Sequence, residues 1–566
     1  MKLRSFFYIL GATVIILLGV ATASFAWILA DSPLSLLKGG VLREPAAAVF
    51  VPKQAPVMVS LLVNPERLES FGQLIATPAN RRRSHQEIKD LEKSLLGKTG
   101  LNYQKEIKPW LGEEITLAVT SLDFDRDTDN GIQPGYLLAI QSKDGERAKE
   151  FLQASYSKQA VSGKFDLVFE LYKGVNLIYQ RPLTAGDNNR FLASAVVGDT
   201  VLFANNIKVL REALNNVQVP DLNLKNSPDY REALKNITEP RIAIVYGNLP
   251  PLSAWIANQP VPESPEAKQR LATAFTLKSG GIVAQTALIG VLGQDDQAPI
   301  LSSPVGALSF ISENSLLVAA SRDLNRFWTQ VEEGLEADSP LQELITQVLN
   351  RFQSPLGLNL PEDVFSWVRG EYSLALVPNS KGMEPDSVFV GERVMGVEVD
   401  SAIEHLDELA RSRGYNVVNL PLLDRTVTAW TKLTTAVPEG KAQLETLVTG
   451  VHTRVDNYEI IASSVEAMGL ALSAQKNPIL SSGKFRQAIT ALPAENDGYF
   501  YVDWRQLQPV IEAKFPIVRV LELSIKPLFN NLRSLTISSQ GSENSVRRGT
   551  IFFNLAANSK RTQIIK

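Results

Sequence analysis

The chain has 566 residues, of which 45% are hydrophobic and 21% are charged, and its formal net charge is -3. This length is too great for one hydrophobic core, and the slightly acidic balance gives no general attraction to nucleic acid, which needs a basic surface. Because the chain contains no cysteine, we exclude disulfides, thiolate-held iron–sulfur clusters, cysteine-ligated zinc, thiol catalysis and a lipid-modified cysteine.

The N-terminus predicts one transmembrane helix within residues 1–30. Two basic residues precede the uncharged run Phe6–Leu29, and a helix of that length spans about 36 Å, enough to cross a hydrocarbon core of about 30 Å. A cleaved signal peptide is the alternative, because Ala21 and Ala23 form a small-residue cleavage site. We favour an uncleaved anchor because the apolar run continues past that site. Either interpretation places the bulk of the chain outside the cytoplasm.

A linker rich in proline, glycine and alanine is predicted over residues 31–56. Beyond it, short apolar or alternating runs predict strands, and apolar residues spaced by three and four predict helices. The predicted strands are Val57–Val63, Glu114–Ser121, Tyr136–Gln141, Phe165–Leu171, Val175–Gln180, Phe191–Val197, Thr200–Ala204, Ile242–Tyr246 and Gly281–Ile289. The predicted helices are one from Asn64, then His85–Leu96, Asp144–Tyr156, Ile207–Leu214, Pro228–Ile237 with Ser227 as its cap, Leu252–Ile256 and Glu266–Phe275.

The sequence then repeats itself. Gly100–Val119, GLNYQKEIKPWLGEEITLAV, returns as Gly357–Leu376, GLNLPEDVFSWVRGEYSLAL, with Gly, Leu, Asn, Trp, Glu, Leu and Ala coincident. Other segments keep nearly the same offset: Thr200–Leu214 with Tyr458–Leu472, and Ser227–Ile256 with Ser482–Ile511. Chance similarity does not hold a register over such a distance, and a period this long indicates tandem domains.

We therefore predict repeat 1 over residues 57–294, repeat 2 over residues 305–557 and a tail over residues 558–566. Each repeat mixes hairpins with helices, so the predicted fold class is α+β: two tandem homologous repeats of antiparallel sheet with helices, behind the transmembrane helix. The repeats pair through a pseudo-twofold axis or form one continuous sheet, and the sequence does not choose between these arrangements.

The order of several short motifs resembles a cyanobacterial membrane-anchored family known only as a domain of unknown function, number three-three-five-two. These motifs are the N-P-E-R-L helix, the G-E-x-x-L-A strand entry, the Lys-Gly-Val strand, the Gly-Asp hairpin and the box NSPDYREAL at Asn226–Leu234. In the second repeat the box becomes SSGKFRQAI and the turn becomes Asp456-Asn457. The resemblance covers residues 48–557, as two tandem copies. It implies a membrane-anchored protein of the envelope or thylakoid system with no established activity, so it supplies no functional residues.

Three residue pairs occupy equivalent positions in the two repeats: Trp110 and Trp367, Glu114 and Glu371, and Tyr246 and Tyr501. Two carboxylates across a pseudo-twofold axis would suit acid–base catalysis. A glutamate that precedes a strand also accepts backbone N–H bonds, and we favour this structural role. The tryptophans are predicted to anchor the adjoining turn in the core, and the tyrosines to pack at strand ends.

No motif indicates a cofactor or metal site, and we expect neither. The three histidines, His85, His405 and His452, are far apart and form no metal-binding motif. The run LDFDRDTDNG resembles the start of a calcium loop, but position twelve from Asp125 is Tyr136 where such a loop needs glutamate. No phosphate loop, dinucleotide fingerprint or nucleophile elbow is present.

These observations favour a non-enzymatic binding or scaffold protein, held in the plasma membrane facing the periplasm or in the thylakoid membrane facing the lumen. Its partners would be the membrane itself and a membrane protein or lipid, without nucleic acid. Two alternatives stay open. One is a carrier of an apolar ligand such as a lipid or pigment. The other is a hydrolase that uses carboxylates such as Glu114 and Glu371.

Overall fold

The structure is a computed structural model. It describes residues 40–63, 109–127, 131–160, 165–182, 193–256, 269–278, 280–290, 300–334, 359–380, 384–436, 443–514 and 532–555. The predicted anchor at Phe6–Leu29 and the helices predicted from Asn64 and at His85–Leu96 lie outside these residues. Among the described residues, no helix combines the length and the apolar character needed to cross a bilayer.

The first half of the chain forms strands β1 to β10. Their bounds are β1 Val57–Leu61, β2 Leu111–Ser121, β3 Gly135–Ser142, β4 Phe165–Tyr172, β5 Val175–Pro182, β6 Ala193–Val197, β7 Thr200–Ala204, β8 Ala243–Asn248, β9 Arg270–Lys278 and β10 Gly281–Ile289. They lie side by side in the order β4-β5-β6-β7-β3-β2-β1-β8-β9-β10, and each neighbouring pair is antiparallel.

The second half forms strands β11 to β20. Their bounds are β11 Leu317–Arg322, β12 Glu371–Val377, β13 Asp386–Glu392, β14 Asn416–Leu422, β15 Arg425–Ala436, β16 Gln443–Val455, β17 Tyr458–Ala462, β18 Tyr499–Asp503, β19 Leu532–Glu543 and β20 Val546–Leu555. The order β14-β15-β16-β17-β13-β12-β11-β18-β19-β20 matches the first half strand for strand, again antiparallel throughout.

One seam joins the two halves. Strand β10 pairs antiparallel with β20, from Gly281 opposite Asn554 to Ile289 opposite Val546, and this contact makes a single 20-stranded sheet of the described strands. The register is symmetric about the pair Gln285 and Thr550. The prediction of an α+β fold with antiparallel sheet is confirmed, and the arrangement that the sequence left open is a continuous sheet.

Along the sequence, the described α-helices alternate with groups of strands. They are α1 Gly145–Ala160, α2 Ile207–Gln218, α3 Pro228–Lys235, α4 Leu249–Ile256, α5 Leu324–Gly334, α6 Val399–Ser412, α7 Val465–Ser473, α8 Gly483–Thr490 and α9 Trp504–Lys514. At the start of α2 the Asn206 side chain accepts the Lys208 N–H, which satisfies a backbone donor that the helix leaves free. Ser227 stands at the cap position of α3, but its side chain makes no capping hydrogen bond, contrary to the prediction.

The helix predicted at Glu266–Phe275 is wrong, because strand β9 occupies Arg270–Lys278. Leu271 and Phe275 lie in one apolar cluster, and Ala272 and Ala274 lie in the cluster on the opposite face. A strand buried on both faces has no polar alternation, so its pattern is easily mistaken for that of a buried helix.

Part of the segment predicted as a linker packs against the first half. A 3-10 helix covers Ala46–Val49, and Ala48 and Val51 are fully buried. Val41 forms an isolated antiparallel bridge with Arg241. In the second half, the 3-10 helix Gly306–Phe310 and the bridge between Leu301 and Asn496 take the corresponding places.

An apolar cluster shared by both halves lies on one face of the sheet around the seam. Leu249 and Leu252 of α4 belong to it, together with Trp504 and Leu507 of α9. The opposite face carries two further cores, one made mainly by each half, and each includes one residue from the seam strand of the other half, Val546 and Val283. The halves are therefore held together by apolar burial as well as by strand pairing, and burial is the larger favourable contribution to folding.

Candidate functional site

Glu114 is buried and receives backbone hydrogen bonds. It lies on β2, where its side chain shares a face with Thr116, and it is 2% exposed. Its carboxylate accepts the N–H of Ala46 at 2.9 Å, the N–H of Ala47 at 3.0 Å and the Thr116 hydroxyl at 3.1 Å. Those two amides open the 3-10 helix Ala46–Val49, so Glu114 neutralises the positive end of that helix.

Glu371 caps the corresponding 3-10 helix in the second half. At the start of β12, its carboxylate accepts the N–H of Gly306, the first residue of the corresponding 3-10 helix, at 2.6 Å. It also lies 3.2 Å from the Tyr458 hydroxyl and 3.2 Å from the Arg322 guanidinium. Its side chain is 18% exposed. Both glutamates thus accept backbone N–H groups, and in each half those N–H groups belong to the 3-10 helix that precedes the first strand.

The paired tryptophans lie in equivalent cores. Trp110 is 1% exposed and belongs to the cluster that contains Leu152 and Tyr156 of α1. Trp367 is 4% exposed, stands edge-on to Phe389 at 6.2 Å between ring centroids, and donates its indole N–H to a backbone carbonyl at 3.2 Å. Both rings are thus packing residues of the described structure.

The paired tyrosines also pack against a helix. Tyr246 stands edge-on to Tyr230 of α3, at 5.1 Å between ring centroids, and Tyr501 stands edge-on to Phe485 of α8 at 5.2 Å. Burial raises the pKa of both Tyr246 and Tyr501, because the phenolate is poorly solvated there. Neutral buried phenols at matched places indicate a structural role.

A buried charged group is present in the second half, and sequence reasoning missed it. This His452 cluster consists of Arg393, Asp407, Trp430, His452 and Glu459. The His452 Nε2 lies 3.1 Å from the Asp407 carboxylate, and its Nδ1 lies 3.6 Å from the Glu459 carboxylate. Trp430 donates its indole N–H to the same Asp407 oxygen at 2.7 Å, and Arg393 binds Glu459 at 2.9 Å.

The two carboxylates favour a protonated imidazole. Burial by itself lowers the pKa of His452, but the hydrogen bond to Glu459 and the charge of Asp407 outweigh it, so the pKa of His452 is raised. The side chains of His452 and Glu459 are only 9% and 4% exposed. The imidazolium therefore links helix α6, which carries Asp407, to the hairpin of β16 and β17.

The corresponding place in the first half is not charged. His452 pairs across the sheet with Thr428, and in the matching strands Ser194 pairs with Ile178. Glu459 pairs with Gly391, whereas its counterpart Val201 pairs with an isoleucine. A signal for the cluster was present in the sequence, because the β16–β17 hairpin around Asp456-Asn457 places His452 and Glu459 on the same face.

The described residues contain no group of three or more acidic or histidine side chains arranged to hold a metal ion. His405, the other histidine in this part of the chain, has a half-exposed side chain 3.4 Å from Asp363. The calcium-loop reading at Asp123–Asp129 falls partly outside the described residues. Within them, Asp125 accepts the backbone N–H of Asp127 at 3.2 Å, as in a polar turn.

The solved structures that match this chain are only weakly similar to it, whereas one family profile matches most of its length. Crystal form I of TP0453 is 11% identical, over 45% of this chain and 82% of that one, with a TM-score of 0.24. Crystal form III of TP0453 is 13% identical over the same shares of the two chains, with a TM-score of 0.22. No curated protein matches the chain at a significant level. The profile of the family described as "Protein of unknown function (DUF3352)" matches residues 10–555 in one span that includes both halves, and the chain belongs to this family.

Proposed function

We propose that this protein is a non-enzymatic binding or scaffold protein with a two-repeat body outside the cytoplasm, held in a membrane by the helix at Phe6–Leu29. Facing the periplasm from the plasma membrane and facing the thylakoid lumen are both compatible with the proposal. Its partners would be membrane proteins or lipids. The observation that carries the proposal is the use of both repeat-equivalent glutamates, Glu114 and Glu371, as backbone caps.

The duplication forms part of this proposal. The two halves share strand order, the 3-10 helix before the first strand, its glutamate cap and the isolated bridges. The aromatic pairs Tyr246 with Tyr230 and Tyr501 with Phe485 have nearly the same geometry. Matching details of this kind support descent of the halves from one ancestral unit of about half the present length.

The alternative of a carboxylate hydrolase gains no support from these glutamates. A general acid or base must reach its substrate, and Glu114 is 2% exposed with its oxygens already accepting backbone N–H bonds.

The carrier alternative has one favourable observation, the apolar cluster that both halves share around the seam. Mass spectrometry of the purified full chain tests it, because a carrier retains a stoichiometric apolar ligand and a scaffold does not.

The anchor is tested by alkaline extraction of membranes. The full chain should stay in the membrane pellet, whereas the double variant Ile16→Lys/Leu17→Lys should be released, since each lysine at a helix centre costs about 3 kcal/mol of insertion free energy. A matched variant, Ile16→Val/Leu17→Val, should remain in the pellet. Extraction of the unmodified chain would contradict the anchor.

The scaffold role is tested by crosslinking in native membranes. We expect the same partner set in independent preparations with the full chain, and its loss with Ile16→Lys/Leu17→Lys. The role is overturned if no partner recurs and the purified chain instead turns over a substrate. Glu114→Gln serves as the enzymatic control, because under our proposal it lowers stability and leaves the partner set unchanged.

A further inference from the structure

The two ends of the sheet are equivalent in topology. Strand β4 is outermost in the first half and β14 in the second, and each is joined to its inner neighbour by a two-residue turn. Tyr172 closes the first hairpin opposite Val175, and Leu422 closes the second opposite Arg425. In the part of the chain that the structure describes, neither outer edge pairs with another strand.

These equivalent edges carry different residues. Counting back from the turns, Phe169 of β4 corresponds to Asn419 of β14, and Leu171 corresponds to Pro421. Phe169 is 65% exposed and Leu171 is 72% exposed. Proline removes a backbone donor, and a polar side chain disfavours stacking of a further strand, so β14 carries features that natural proteins use to block an edge. Strand β4 lacks them and instead exposes two large apolar side chains along an edge that pairs with no other strand among the described residues.

We propose that β4 is a docking edge for a second copy of this chain, with β4 paired antiparallel to β4 about a twofold axis at Phe169. Leu167, Phe169 and Leu171 alternate along one face of the strand. In the twofold pair, Phe169 opposes its own copy and Leu167 opposes Leu171. These pairs cover the exposed side chains of Phe169 and Leu171, the latter against the partly buried Leu167. Contacts of this kind are the usual source of stability between adjacent strands.

The positions of the acidic side chains favour this register over the two neighbouring ones. On the opposite face it places Asp166 against Tyr172 and Val168 against Glu170, with no acidic side chains directly opposed. A shift of the centre by one residue in either direction opposes Glu170 to its copy or Asp166 to Glu170, and directly opposed like charges are destabilising. Within each chain, Arg211 binds Glu170 in bidentate fashion at 2.6 Å and 2.8 Å, which further lowers the local negative charge.

The chain already contains an edge-to-edge strand pair of this type. Strands β10 and β20 pair edge to edge, antiparallel and symmetric about Gln285 and Thr550. An interface made mainly by one short strand falls below the roughly 1,200 Å² of a standard protein interface, so we expect a reversible dimer with a dissociation constant on the order of micromolar. This inference does not rest on the proposed function.

The oligomeric state of the chain tests whether β4 is a docking edge. Native mass spectrometry of the full chain in mild detergent, across about 0.1–100 μM, brackets that affinity and should show a monomer–dimer equilibrium. Phe169→Asn/Leu171→Pro, which copies the β14 edge onto β4, should weaken dimerisation at least tenfold. Leu423→Asn removes an equally exposed leucine, 65% exposed, from the second-half turn and should leave the dimer unchanged.

Single cysteines test the register, because the chain has none of its own. Under mild oxidation Phe169→Cys should crosslink to itself, and Leu167→Cys should crosslink to Leu171→Cys in a mixture better than either does alone, since opposed strand positions bring Cβ atoms within disulfide range. Leu423→Cys should form no disulfide crosslink between chains. A chain that is monomeric at every concentration overturns the proposal, as does a dimer that survives Phe169→Asn/Leu171→Pro. Strong self-crosslinking of Leu171→Cys overturns the register.

Discussion

Glu114 and Glu371 make the same contact in surroundings of different polarity, and this difference sets how much each contributes. Glu114 is almost inaccessible and holds two amides, those of Ala46 and Ala47. Glu371 is partly exposed and shares its carboxylate with Arg322. A partly exposed ion pair adds little to stability because water screens it, so the buried cap is the more valuable of the two.

Replacement of Glu114 by alanine should therefore destabilise the protein more than replacement of Glu371. Glu114→Ala leaves the buried N–H of Ala47 and the part-buried N–H of Ala46 without their acceptor. A buried unsatisfied donor costs about 1–3 kcal/mol and a part-buried one less, so we expect the free energy of unfolding to fall by roughly 2–4 kcal/mol. Glu371→Ala should cost about 1–2 kcal/mol. Urea denaturation measures both, with Glu313→Ala on an exposed turn as the neutral control. Equal losses at Glu114 and Glu371 would contradict this account.

His452 should make stability depend on pH. Because its pKa is raised in the folded state, the stabilisation is fully present below the unfolded value of about 6.5 and is lost as pH rises through the folded pKa. His452→Gln leaves Asp407 and Glu459 without their shared cation, so it should cost about 3 kcal/mol at pH 5–6 and progressively less at higher pH. His405→Gln, at a half-exposed histidine, is the matched control variant. A difference between wild type and His452→Gln that grows with pH would overturn this assignment.

At the residue scale, sequence comparison located the repeated positions but not their partners. The match between the repeats identified Glu114 and Glu371, yet their acceptor role depends on Ala46, Ala47 and Gly306, which lie about 65 residues earlier along the chain. For the His452 cluster, the sequence indicated only that His452 and Glu459 share a face of one hairpin. Its members come from a helix, three strands and a loop that only tertiary packing brings together, and the positions of the first half that match His452 and Glu459 are Ser194 and Val201.

At the scale of elements, two glycines show where the packing leaves room for a side chain and where it does not. Gly469 lies in the middle of α7, and a Cβ built there meets nothing within 4 Å. Gly450 on β16 is different, because a Cβ there would lie 2.2 Å from the Trp430 ring. Since Trp430 also donates to Asp407, Gly450 provides the space that keeps the His452 cluster in place.

Gly469→Ala should stabilise the protein by about 0.5–1 kcal/mol, because alanine lowers the entropy cost of forming the helix and meets no obstacle. Gly450→Ala should destabilise it by about 1–3 kcal/mol through overpacking against Trp430. Thermal unfolding of the two variants beside the wild type provides the measurement. A lower melting temperature for Gly469→Ala would show that α7 is packed more tightly than described.

Elements with a polar and an apolar face were predictable from sequence, whereas of two strands buried on both faces β8 was predicted and β9 was not. Helix α2 has two such faces, because its apolar residues recur at helical spacing and Val209, Leu210, Ala213 and Leu214 are buried. Strand β9 failed because both of its faces are buried. On β2 the predicted strand was right, but the polar side chains Glu114 and Thr116 lie on the more buried face, where long-range hydrogen bonds replace apolar contact.

At the scale of the whole molecule, the seam between β10 and β20 and the apolar cluster around it should make the two halves unfold together. Elements that share a core lose stability when either part opens, which is the basis of cooperative unfolding. The cluster takes residues from both halves, including Phe275 beside β10 and Phe553 on β20. We therefore expect one calorimetric transition for the wild-type body despite its length.

Gly281→Val should divide that transition. A Cβ at Gly281 lies 2.0 Å from the carbonyl oxygen of Phe553, a backbone atom that cannot move without opening the strand pair. Each half keeps its own core on the opposite face, so loss of the seam should yield two broader transitions with the enthalpy of each below that of the intact body. Gly549→Ala is the matched control on the same seam, because the close contact of its Cβ is with a side-chain atom, the Thr286 hydroxyl at 2.9 Å, and the nearest backbone atom, the Ser538 carbonyl oxygen, lies at an ordinary contact distance of 3.5 Å. It should keep a single transition. If Gly281→Val also unfolds in one step with an unchanged ratio of calorimetric to van't Hoff enthalpy, the halves are coupled by something other than the seam.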